Sequence, residues 1–266
     1  MKRRFDKMHG LGNDFVIIDA RKEPFPVTPR LAKAIADRRT GVGCDQLIVL
    51  EPNDTADLKM RIWNSDGGEV ESCGNATRCI VRLTGARLID TPGGLLEGQD
   101  FGAEVEVSVG PPRFGWDEIP LACPMDTAAL PMAWDDLEHP MALNVGNPHL
   151  VFFVPDAREV PLDVLGPRIE NDLAFPERIN VNVSSYVENR LKLRTFERGA
   201  GETLACGTGA CASAVAAIVT KRAESPVTVD MTGGSLTVSW APGEPIRMRG
   251  SATHVFSGEL DLDALQ

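Results

Sequence analysis

Leu58 to Trp63 and Leu191 to Phe196 alternate apolar and polar side chains, and Glu104 to Val109 alternates as strictly. That period of two places every second residue on one face of a sheet and predicts half-buried strands. Helix-like runs follow, at Ala76 to Leu83 and at Ala210 to Val219. The second is Ala-rich and apolar nearly all round, the pattern of a helix enclosed by other elements rather than lying on a surface. A further helix is predicted from Thr28 as N-cap, with Pro29 in the first turn, to Arg39. Between Pro111 and Pro140 stand six prolines and little periodicity, which predicts a crossover between domains.

These elements repeat. Leu58-Lys59-Met60-Arg61-Ile62-Trp63-Asn64 lines up with Leu191-Lys192-Leu193-Arg194-Thr195-Phe196-Glu197 at an offset of 133 residues, half of the 266-residue chain. The same offset pairs Gly68-Glu69 with Gly201-Glu202 and Cys73-Gly74 with Cys206-Gly207. Upstream it drifts by one residue, so that Gly12-Asn13 matches Gly146-Asn147. Gln46 falls on Asn180, and the Gly93-Gly94 turn resembles Gly233-Gly234. Self-similarity at half the chain length predicts two homologous, strand-rich halves.

Composition removes several function classes. Hydrophobic residues are 43% and charged residues 24% of the chain, which fits a globular protein and neither a disordered nor a fibrous one. Lys and Arg number 27 against 38 Asp and Glu, a net charge of −11, so a general phosphate-binding surface for nucleic acid is not expected. The longest apolar stretches, such as Phe15 to Ile18 and Ala214 to Val219, are far shorter than the ~18 residues of a membrane span. No apolar run follows the basic start, so a cytoplasmic protein is expected. Its six cysteines are then thiols rather than a disulfide scaffold.

Two of those thiols occupy equivalent places. Cys73 and Cys206 each sit where a loop turns into a helix, with unpaired backbone N–H groups and the positive end of the helix dipole beside them. A thiolate is stabilised there, and a carboxylate can be held alongside. Halves packed about a pseudo-twofold axis would set the two sulfurs on opposite faces of one carbon. Inversion of a stereocentre needs that arrangement: one thiolate takes a proton and the other thiol delivers one.

The motifs Met8-His9-Gly10-Leu11-Gly12-Asn13-Asp14-Phe15, Gly43-Cys44-Asp45-Gln46, Cys73-Gly74-Asn75, Gly146-Asn147-Pro148-His149, Pro176-Glu177-Arg178-Ile179-Asn180 and Glu197-Arg198-Gly199-Ala200-Gly201-Glu202-Thr203 together resemble the diaminopimelate epimerases. The resemblance runs on to Ala252-Thr253-His254, essentially the whole chain. It implies an α+β protein of two pseudo-symmetric homologous domains, each a β-barrel-like sheet around a central helix. The first domain would be residues 1–116 with 251–266 returning to it, and the second 117–250. It implies cofactor-independent interconversion of LL- and meso-diaminopimelate in lysine and peptidoglycan synthesis, by a homodimer, with Cys73 and Cys206 as the two bases. His149 and Glu197 resemble the residues that tune those thiols so that one is ionised while the other keeps its proton. The matching substrate-binding positions are Asn13, Gln46, Asn64, Gly74, Asn75, Asn147, Asn180, Glu197, Arg198, Gly207 and Thr208. A substrate with two ammonium and two carboxylate groups suits such a set of neutral amides with one Glu and one Arg.

Other readings compete at single positions. Cys44, Cys79, Cys123 and Cys211 read as small buried apolar fillers. No cysteine pair has the spacing of a redox Cys-x-x-Cys centre or of a zinc finger, so no metal is expected. His149 alone is equally a satisfied core histidine, and Glu197 with Arg198 a surface pair. Related proline racemase-like enzymes would share the thiols but not the Asn-rich set. Phenazine-pathway isomerase-like enzymes would lack the thiols, and a thiol sensor on the same fold is the alternative outside enzymes.

Overall fold

The computed structural model describes residues 2–71, 73–188 and 190–265. They fall into two units, Met1–Ser108 with Gly250–Gln266, and Val109–Arg249.

In the first unit, hydrogen bonding orders the strands Lys2–Gly10, Asn13–Asp19, Gln46–Glu51, Leu58–Asn64, Leu88–Thr91, Gly94–Asp100 and Val105–Ser108 side by side. Successive neighbours pair antiparallel, parallel, antiparallel, parallel, antiparallel and antiparallel. Thr253–Asp261 comes back from the far end of the chain to pair with Lys2–Gly10. The second unit orders Met141–Asn144, Pro148–Phe153, Asn180–Val187, Arg190–Glu197, Val227–Met231, Gly234–Ser239 and Arg247–Gly250 with the same sequence of directions. The half-chain repeat is thus a repeat of topology, strand for strand.

Each unit also has two helices in equivalent places: α1 (Pro29–Ala36) and α2 (Gly74–Thr84), then α3 (Leu162–Glu170) and α4 (Gly207–Val219). The outer helix covers one face of the sheet. Ala32 and Ile35 of α1 pack with Val16, Ile18, Leu47 and Val49, and Leu162, Leu165 and Ile169 of α3 pack with Leu150, Phe152, Val181 and Val183. The inner helix lies against further strands of its unit. For α4 these include Pro148–Phe153, Asn180–Val187, Arg190–Glu197 and Gly234–Ser239, and its residues Gly209 to Ala217 are all buried. A helix so rich in Ala and Gly is narrow enough for strands to close around it. With cover on both faces, Gln46–Glu51 reads as a continuous apolar run rather than an alternation.

Three expectations need correction. Helix α1 starts as predicted, with Thr28 Oγ1 accepting from the Leu31 N–H at 3.2 Å, but it ends at Ala36, short of Arg39. Asp37 ends it, because its carboxylate accepts from the N–H groups of Arg39 and Thr40 (2.8 and 2.7 Å) and turns the chain away. The proline-rich segment from 111 to 140 is no crossover. It belongs to the second unit, where Ile119, Leu121, Leu130, Trp134 and Leu137 are buried in the core beneath α3. The division between units falls at 108/109, against the 116/117 that the family resemblance implies.

Candidate active site

In the first unit the chain turns tightly between its first two strands, with Leu11 and Gly12 both at positive φ (56° and 87°). The turn delivers Asn13 to the start of α2. Cys73 is the N-cap of that helix, half-buried, and its Sγ–H donates to Asn13 Oδ1 across 3.7 Å. Asn75 Nδ2 donates to the same oxygen at 3.3 Å. The Asn13 amide is oriented from behind, since its Nδ2 donates to the Asp45 carboxylate at 3.0 Å. Asp45 is itself held by Arg38, which also forks onto Asp14, and Lys7 closes the cluster on Asp14 at 2.6 Å. Asn75 is fixed similarly, its Oδ1 accepting from the fully buried Arg78 at 2.8 Å. On the neighbouring strands Gln46 Nε2 donates to Asn64 Oδ1 at 2.9 Å, a cross-strand pair in register. Helix geometry leaves the N–H groups of Gly74 and Asn75 without intrahelical partners.

The second unit builds the same N-cap with different surroundings. Cys206 caps α4, is 4% exposed, and its sulfur accepts from the Gly209 N–H at 3.3 Å with Thr208 Oγ1 at 3.5 Å. Burial pushes this thiol well above its ordinary range, and the Glu197 carboxylate nearby adds to the shift. Those two effects outweigh the Gly209 and Thr208 hydrogen bonds. The helix N-terminus therefore does not make Cys206 a resting thiolate, as its position alone predicts, because water has been removed from around it. Thr203 Oγ1 donates to Glu197 at 2.5 Å and fixes that carboxylate.

Asn180 donates to the Pro148 carbonyl (2.8 Å) and accepts from the Arg198 N–H (3.0 Å), which seats the Glu197-Arg198 turn. The Arg198 side chain is exposed and anchored through Nη1 to the Glu177 carbonyl at 3.0 Å. His149 is fully buried. Its Nε2 lies 2.8 Å from Asn147 Oδ1 and its Nδ1 3.0 Å from Asn182 Nδ2. Burial, with the Arg198 charge, holds this imidazole neutral by lowering its pKa to about 3. Both ring nitrogens are thus engaged by amides rather than by a thiol.

The remaining cysteines separate by burial. Cys44 lies in the core beneath α1 with its pKa pushed up to about 11, and Cys79 is pushed up to about 12, both by burial. Cys211 is also buried, but Cys123 is exposed and so is not the filler expected of it. The sequence alone assigns no role to Asp45, Asn182, Thr195 or Thr203. For Asn182 the signal lies in the strand period: it shares a face with Asn180, in a strand buried from Asn180 to Ser185.

In each unit a carboxylate can be held on helix N–H groups beside a thiol, within a frame of oriented amides. The family model described as diaminopimelate epimerase matches residues 5–115 and 141–255, one stretch in each half. A diaminopimelate epimerase of Sphingopyxis alaskensis is 62% identical over 263 residues, covering 98% of both chains. One of Rhizorhabdus wittichii is 61% identical, covering 99% of this chain and 97% of its own. Among solved structures, a phenazine biosynthesis protein of the PhzF family from Bacillus anthracis aligns with a TM-score of 0.68 at 18% identity, covering 98% of this chain and 99% of that one. A hydroxyproline epimerase from Agrobacterium vitis aligns at 0.65 and 13%, covering 97% and 92%. At such identities the two structures share the fold alone.

Proposed function

The chain belongs to the diaminopimelate epimerase family, and from that premise we propose that it interconverts LL- and meso-2,6-diaminopimelate with Cys73 and Cys206 as its two acid–base groups. The observation that carries the assignment is the equivalence of the two thiols. Each N-caps the inner helix of its unit, and the two units share one strand order.

One sulfur, as thiolate, takes the α-proton and becomes a thiol. The electron pair left on carbon delocalises into the α-carboxylate, whose growing charge is met by the N–H groups of Gly74 and Asn75 or of Gly207 and Thr208. The other thiol then delivers its proton to the opposite face and is left as thiolate, so the reverse reaction starts from the complementary state. The raised pKa of Cys206 supports its resting as the protonated partner. Asn13, Gln46, Asn64, Asn75, Asn147 and Asn180 supply neutral donors and acceptors to the substrate, and Glu197 with Arg198 supplies the charged pair. His149 serves by holding Asn147. Cys73→Ala and Cys206→Ala are each expected to abolish epimerisation while keeping the circular dichroism and melting of the parent protein. Turnover by either variant contradicts the two-thiol assignment.

We place the enzyme in the cytoplasm as a homodimer. As to the first, none of the described helices is long and apolar enough to cross a membrane. Exposed Val255 and Phe256 on the strand Thr253–Asp261 support the second. Sedimentation at twice the chain mass and recovery with the cytoplasmic fraction are expected; a monomer, or a periplasmic enzyme, overturns the respective statement.

A further inference from the structure

The polar cluster beneath Cys206 includes Asn182, whose amide has only one permitted orientation. Its Nδ2 donates to the Leu150 carbonyl at 2.8 Å and lies 3.0 Å from His149 Nδ1, and its Oδ1 accepts from Thr195 Oγ1 at 2.9 Å. Turning the amide over would set its oxygen against the Leu150 carbonyl, which has no proton to give. Nδ2 therefore faces both acceptors, His149 Nδ1 must present a lone pair, and the ring proton must sit on Nε2. Nε2–H in turn donates to Asn147 Oδ1 at 2.8 Å. The Asn147 oxygen is thereby turned toward the ring, and its Nδ2 is left without a partner among the described residues. We infer that Asn182 is a positioning residue that, anchored on the Leu150 carbonyl, holds His149 as the Nε2–H tautomer and so fixes Asn147 to meet substrate as a hydrogen-bond donor.

Donation through Asn147 Nδ2 suits a carboxylate or carbonyl oxygen rather than an ammonium group, so the device would favour one polar end of an amino-acid substrate at this position. This consequence rests on the reading of Asn147 as a substrate residue. The tautomer itself does not. Nor does the device come with the repeat. In the matching registers of the first unit, Phe15 stands for His149, and Ile48 and Ile62 stand for Asn182 and Thr195. All three are buried and apolar.

The test is long-range proton–nitrogen NMR on protein labelled with 15N-histidine, read on the His149 ring, because tautomers are settled by the network and not by heavy-atom positions. The wild-type protein is expected to show a protonated Nε2 and an unprotonated Nδ1. Asn182→Asp replaces the donor with a carboxylate and is expected to put a proton on Nδ1. Thr195→Val leaves both contacts of the Asn182 amine in place and is expected to keep the wild-type pattern, and it serves as the folded comparison if Asn182→Asp does not fold. A wild-type ring protonated on Nδ1, or an Nδ1 still bare in folded Asn182→Asp, overturns the inference. An epimerase with the wrong tautomer refutes this inference alone. The predicted tautomers in a protein that does not epimerise diaminopimelate refute the functional reading alone.

Discussion

His149 carries a linkage that can be measured without substrate. Its folded pKa lies near 3 because the ring is buried and close to the Arg198 charge, whereas in the unfolded chain it titrates near the ordinary value of about 6.5. Between those values the unfolded state binds a proton that the folded state does not. Stability from this group is therefore fully present above pH 6.5 and is lost as the pH falls toward 3, at about 1.4 kcal/mol per unit. By pH 5, before most carboxylates protonate, the loss amounts to about 2 kcal/mol. Urea unfolding of the wild type is expected to lose that much more between pH 7 and pH 5 than His149→Gln does; equal losses would show that the folded ring takes up a proton. At this scale the sequence was informative about identity but not about state. Cys206 at a helix start predicted a low pKa, and only its burial beside Glu197 reverses the direction. Asp45 stands next to Gln46 in a motif that the sequence displays, yet its hold on Asn13, 32 residues away, depends on the Leu11-Gly12 turn bringing the two together.

The start of α4 is the element on which the surroundings of Cys206 depend. Gly209 is a glycine by necessity of space: a Cβ there would lie 2.5 Å from Asn182 Oδ1, 2.8 Å from Thr195 Oγ1 and 3.2 Å from the Cys206 sulfur. The first two atoms are bonded to each other and cannot both retreat. Gly209→Ala is expected to destabilise the protein by about 1–3 kcal/mol, the range for overpacking a filled site, with a matching drop in the urea midpoint. An unchanged midpoint would mean the helix start is looser than described. Elements with strong local signals were legible: the alternating strands, the Ala-rich inner helix and the Thr28 cap. Helix α3 was not, because Gly166 and Pro167 stand in its interior and read as breakers. Gly166 is there because a Cβ would lie 2.4 Å from the Phe196 ring, a tertiary demand with no local signature.

At the scale of the whole chain, two units of one topology carry two thiols in equivalent places and differ in what lies beneath them. The repeat is legible because paired motifs keep nearly constant spacing from Gly12 to Gly74 and from Gly146 to Gly207. The 111–140 segment is not legible in the same way, because prolines that interrupt regular strands do not forbid burial. A duplicated scaffold with unequal surroundings suits a reaction that needs two acid–base groups in opposite protonation states at once. That claim is tested most directly by incubating reduced protein with LL-diaminopimelate in deuterated water and following both stereoisomers by NMR from the first turnovers. The account predicts meso product carrying solvent deuterium at the inverted carbon, while unreacted LL substrate at early times keeps its α-proton. Product that retains the substrate proton, or no exchange at all, would contradict it.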